Sequence, residues 1–115
     1  MSNIKTERIS DALIEQISYI IATEVKNSDI NFVTITDVRV SNDLSYAKVY
    51  FTVLDESKIS VTTKALKEAS GFIRHELRDR VDIRQIPELE FVYDESIKQA
   101  EKIENIIDKL HEEEM

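Results

Sequence analysis

Gly71 is the only glycine and Pro87 the only proline in this 115-residue chain. Glycine turns a backbone by entering left-handed conformations, and proline stops a helix by removing a donor and clashing with the preceding turn. A chain with one of each is built from long regular elements joined by short polar connections, with no flexible linker between them. Its length supports one hydrophobic core and is short for two. A single domain over residues 1–115 is therefore expected, compact over 6–110, with a short acidic end that includes Glu112-Glu113-Glu114.

Apolar residues recur at helical spacing through Ile9, Leu13, Ile17 and Ile20. That predicts an amphipathic helix over residues 6–26, with Thr6 as its N-cap. Residues 32–40 are rich in Val, Ile and Thr, and Ala47, Val49, Phe51 and Val53 alternate within 46–54, so two strands are expected. Ser41-Asn42-Asp43-Leu44 reads as the hairpin turn between them. In the first strand Val33 and Ile35 have one parity while Val38 and Val40 have the other, which calls for a bulge or for burial on both faces.

Leu66, Ala69, Ile73 and Leu77 return to helical spacing over 60–80. Gly71 interrupts that run, where a glycine costs roughly 1 kcal/mol against alanine, so a kink or a close backbone contact is expected. Phe72 is assigned to the core. Leu89, Phe91 and Tyr93 alternate as a third strand behind Pro87. Ser96 with Gln99 makes a capping-box pattern, and Ile97, Ala100, Ile103, Ile107 and Leu110 supply a last helical stripe. The order α-β-β-α-(kink)-α-β-α makes an α+β domain, a three-stranded sheet with helices on one side.

Several classes of function drop out. Without cysteine there is no disulfide, zinc-thiolate site, iron–sulfur cluster or thiol nucleophile. The longest apolar run, Tyr19-Ile20-Ile21-Ala22, cannot cross a bilayer, and MSNIKTERIS reads as a cytoplasmic start rather than a secretory signal. His75 and His111 read as surface residues, and Glu104 with Asp108 as a solvated pair. No glycine-rich loop cradles a phosphate. Neither an enzyme nor a cofactor is expected.

The formal net charge of -8 is unevenly spread: residues 58–87 carry seven basic and four acidic groups. At helical pitch Lys64, Lys67, Arg74 and Arg78 fall within an arc of about 80° that flanks the apolar stripe. Arg80 and Arg84 extend the cluster toward Pro87. A row of this kind spans several phosphates, and arginine adds forked hydrogen bonds. The last helix carries the opposite lane of Glu101, Glu104, Asp108 and Glu112, read as a solubilising face.

FVTITDVRVSNDLSYAKVYFTVL, ALKEASGFIRHEL and PELEFVYDESI together resemble the bacterial ribosome-binding factor A family, over residues 6–107. The resemblance implies a KH-like (type II) domain in which an Ala-x-Gly kink, here Ala69-Ser70-Gly71, replaces the GxxG loop. It implies a monomeric, cytoplasmic assembly factor whose partners are the small (30S) ribosomal subunit, its 16S rRNA and ribosomal proteins. Such a factor assists late maturation and 5′-end processing of 16S rRNA, matters especially in the cold, and is not a nuclease. Carried over by position, Arg74, Arg78, Arg80 and Arg84 would face rRNA, as would Arg8 at the start of the first helix, beside the basic row of Lys64 and Lys67. Asp94 and Glu95 match an acidic pair read as a helix-start feature. The family's Asp-Pro-Arg after the first helix is here Asn27-Ser28-Asp29. The alternative is a protein-interaction module, binding a translation or assembly protein through a sheet edge or the acidic helix.

Overall fold

The computed structural model describes residues 4–30 and 32–96. Helix α1 spans Ile4–Thr23. Its inward stripe is Ile9, Leu13, Ile17, Ile20 and Ile21, of which Leu13, Ile17 and Ile20 are fully buried. Each contributes roughly 1.5 to 3 kcal/mol of apolar burial. Thr6 does not cap this helix. The helix starts earlier, and Thr6 lies three residues before Ile9 and seven before Leu13, on the apolar face, where it is buried. The helix also closes sooner than its apolar pattern suggests, as the Glu24 and Val25 N–H groups both donate to the Ile20 carbonyl. A short 3-10 turn, Ser28–Ile30, then plugs Ile30 into the core.

Strands β1 (Thr34–Val40) and β2 (Tyr46–Thr52) pair antiparallel, and β3 (Glu88–Tyr93) joins β2 in parallel, giving the order β1-β2-β3. The register steps between Ile35 and Asp37, which pair with Phe51 and Tyr50. Thr36 is the extra residue of a bulge. It restores Ile35 and Val38 to the same buried face, which settles the parity conflict in the sequence. Parallel pairing of β2 with β3 requires a crossover, supplied by helix α2 (Ile59–Arg80).

Helix α2 runs unbroken through Ala69-Ser70-Gly71, so the two kinked helices expected there are one. Gly71 keeps a right-handed backbone, and the Ser70 hydroxyl donates to the Lys67 carbonyl within the helix. Nor does any close contact explain the glycine: a Cβ built at Gly71 would meet nothing within 4 Å. The inward face of α2 is Thr62, Ala65, Leu66, Ile73 and Leu77. Phe72, assigned to the core from sequence, is 44% exposed. It lies about 60° outside the Leu66–Leu77 stripe at helical pitch.

The α1 and α2 stripes meet one face of the sheet, α1 over β1 and α2 over β3, around Ala47, Val49, Phe51, Leu89 and Phe91. On the other face Lys48 and Glu90 are exposed, and Tyr50 and Val92 are half-buried. At the end of β3, Ser96 donates its N–H and hydroxyl to Asp94. Gln99, the Ile97–Leu110 stripe, the Glu101–Glu112 lane and His111 lie outside the described residues.

Candidate nucleic-acid interface

The seven cations expected to face RNA do not form one row. Arg74 turns inward: Nε donates to the Pro87 carbonyl at 3.1 Å and a terminal nitrogen donates to the Ile86 carbonyl at 3.1 Å. These bonds hold the segment that feeds β3, where Pro87 is fully buried and brings no N–H of its own. Arg74 is therefore a clamp on the fold. Arg80 is also committed within the molecule. Its guanidinium donates to Glu24 at 2.7 Å, lies 3.8 Å from Glu76 and stacks 5.0 Å from the Tyr19 ring.

Arg8, Lys64, Lys67, Arg78 and Arg84 face outward, and none of them makes the internal bonds that hold Arg74 and Arg80. Arg8 and Arg84, 76 residues apart in sequence, come together at one end of the sheet. With Lys5 they rim a cleft of about 580 Å³ whose apolar lining is Ile9, Leu44 and Ile83, and Asp82 is its one carboxylate among the lining residues. The hairpin tip supplies Leu44, at φ 62°, a left-handed backbone that an L side chain adopts at a cost. The tip is held by Asp43, whose carboxylate accepts from the Ser41 hydroxyl and from both the hydroxyl and N–H of Ser45. Those bonds lower the Asp43 carboxyl from 3.8 to about 2.

On α2, Lys64 and Arg78 are about 21 Å apart along the axis. Gly71 falls within the same arc, between Lys67 and Arg78, and is exposed with open space above it. The row therefore carries a notch where backbone is bare. Spacing alone did not reveal Lys5, Leu44 or the exposed Phe72 as part of this surface. A Leu in a turn where Gly or Asn is favoured was the signal at Leu44. Among the described residues, no three His, Asp or Glu side chains are grouped to hold a metal ion, and no helix is long and apolar enough to cross a membrane.

A family model described as ribosome-binding factor A matches residues 5–107. The chain belongs to the ribosome-binding factor A family. A Staphylococcus epidermidis ribosome-binding factor A is 49% identical over 112 residues, covering 96% of this chain and 97% of that one. The crystal structure of ribosome-binding factor A from Thermus thermophilus superposes with a TM-score of 0.70 at 25% identity, over 76% of this chain and 94% of that one. A homology model of the Thermus thermophilus factor, fitted into an electron cryomicroscopy map of its complex with 30S, gives a TM-score of 0.62 at 26% identity, over 73% and 89% of the two chains. In this member of the ribosome-binding factor A family, outward cations sit at the α1–hairpin cleft and along α2. Arg74 and Arg80 serve internal contacts.

Proposed function

We propose that this chain is a ribosome assembly factor that binds the free or immature 30S subunit through 16S rRNA. It assists late maturation and 5′-end processing of the rRNA, most critically in the cold, and does so as a cytoplasmic monomer without nuclease activity. One domain spans residues 1–115. The observation that carries this reading is the near-full-length match to a family with a member fitted on a 30S map. The surface is consistent with it. The Lys64, Lys67 and Arg78 row and the Lys5, Arg8 and Arg84 cleft offer cations to phosphates, and the bare backbone at Gly71 admits a sugar–phosphate strand between Lys67 and Arg78. Recognition is by phosphate position and shape, because no glycine-rich loop is present to grip a short single strand.

Titration of labelled protein against purified 30S subunits at several salt concentrations tests this. Changing Lys67, Arg78, Arg8 and Arg84 to Gln should weaken binding strongly. It should also flatten the dependence of log K on log salt by roughly 0.7 to 0.9 per lost phosphate contact. A quadruple variant that keeps both affinity and slope overturns the rRNA-facing assignment. Binding to protein-containing particles but not to naked 16S rRNA would favour the protein-interaction reading.

A further inference from the structure

At the end of the sheet opposite the hairpin tip, Phe32 and Leu54 are 76% and 80% exposed, the two most exposed large apolar side chains among the described residues. Neither belongs to a slack segment. Phe32 follows Ile30, which is buried in the core, and precedes Thr34, which pairs with Thr52 in the sheet. The Asp29 carbonyl beside it accepts from the buried Thr62 hydroxyl at 3.0 Å. Phe32 adopts φ 60°, so a bulky side chain is held outward on a left-handed backbone.

Between these side chains is a cleft of about 280 Å³ with Val53 and Thr62 in its lining. Its rim is acidic. Asp29 and Asp55 line it with one cation, Lys58. Hydrogen bonds from Ser57 keep the Asp55 carboxyl below its usual range, so it stays ionised at neutral pH. A nucleic-acid strand would be repelled here, whereas a cationic protein segment is attracted and finds a place for one apolar side chain.

We propose that the Phe32–Leu54 cleft docks a basic protein segment, a Lys/Arg-rich stretch that inserts one large apolar side chain between Phe32 and Leu54 against the Asp29 and Asp55 carboxylates. The occupant is protein and not RNA, and the site lies at the far end of the sheet from the Lys5, Arg8 and Arg84 cleft. It stands or falls independently of the proposed rRNA contacts.

The test uses the full chain, isotope-labelled, and a fluorescein-labelled Lys/Arg peptide with one central Phe. Expected are saturable amide shifts at Phe32, Leu54 and Asp55, and binding weakened roughly tenfold when the peptide's Phe is replaced by Ser. Leu54→Ser should weaken it by a similar factor while leaving the melting curve unchanged, since that side chain is already in water. Asp29→Asn should weaken binding and reduce its salt dependence. The proposal is overturned if no shifts appear at this cleft or if a Glu-rich peptide binds equally well. It is also overturned if an RNA oligonucleotide shifts the same amides, or if sedimentation shows a dimer that Leu54→Ser dissolves.

Discussion

Replacing Gly71 by Ala separates what the fold needs from what the surface needs. The residue lies inside an unbroken helix with a right-handed backbone, and a Cβ there meets no atom within 4 Å. The added methyl has nothing to displace, so the helix-propensity difference of about 1 kcal/mol should be expressed in full as stabilisation. For a domain of this length that is a rise in melting temperature of roughly 4 °C. Where the bare backbone meets a sugar–phosphate strand, the same methyl is an overpacking defect costing roughly 1 to 3 kcal/mol, or about 5- to 150-fold in affinity for 30S. Urea melts followed by circular dichroism give the first quantity, and titration against purified subunits gives the second. The salt slope should not change, because no charge is removed. A variant that binds like the parent would refute the close-approach argument. A variant no more stable than the parent would refute the regular helix at this position.

Two further outcomes follow from side chains whose bonds are explicit. Arg74→Met should destabilise the domain by roughly 2 kcal/mol or more, measured by urea melts, through loss of charged hydrogen bonds to the Ile86 and Pro87 carbonyls. It should leave the salt slope of 30S binding unchanged, and Arg74→Lys should not restore stability because lysine lacks the fork. For Asp43, the folded-state carboxyl sits at about 2 against an ordinary 3.8. Its stabilising contribution is complete above that ordinary value and is lost as pH falls toward 2. The Ser45 amide resonance should move in that acid window, and Asp43→Asn should abolish the movement.

The fold was legible where burial on one face fixes a period. The stripes of α1 and α2 and the alternation in β2 and β3 match the buried residues, except that Ala69, Val53 and Tyr93 are only half-buried at the edge of the core. Even the bulge in β1 was announced by its parity conflict, since a strand facing one core cannot otherwise bury Ile35 and Val38 together. Local rules failed where a tertiary contact overrode them. Thr6 has a capping residue's chemistry, but its position on the apolar face of α1 buried it within the helix. Phe72 has a core residue's chemistry and a solvent-facing angle. The candidate site was less legible because charge spacing does not reveal partners. Arg74 falls in the same arc as Lys67, yet the Ile86–Pro87 carbonyls lie within its reach; the Arg8–Arg84 convergence depends on where α1 starts against the hairpin tip.

Glycine is absent where the backbone of this chain would most favour it. Two described residues, Phe32 and Leu44, take the left-handed conformation that glycine adopts without penalty, and the sole glycine takes a helical one that alanine would favour. Backbone energetics alone would place these residues the other way round. Phe32 and Leu44 each line a surface cleft, and Gly71 opens the basic row, so at all three positions the surface overrides the backbone preference. Phe32 gives the cleanest test because its side chain is 76% exposed and contributes little packing. Phe32→Gly relieves roughly 1 to 2 kcal/mol of left-handed strain while adding up to about 1 kcal/mol of unfolded-chain entropy. The urea midpoint should therefore hold steady or rise despite the loss of a large apolar side chain. A loss of about 2 kcal/mol or more would mean that Phe32 is packed as a structural residue, and the strain at that position would then belong to folding and not to a docking surface.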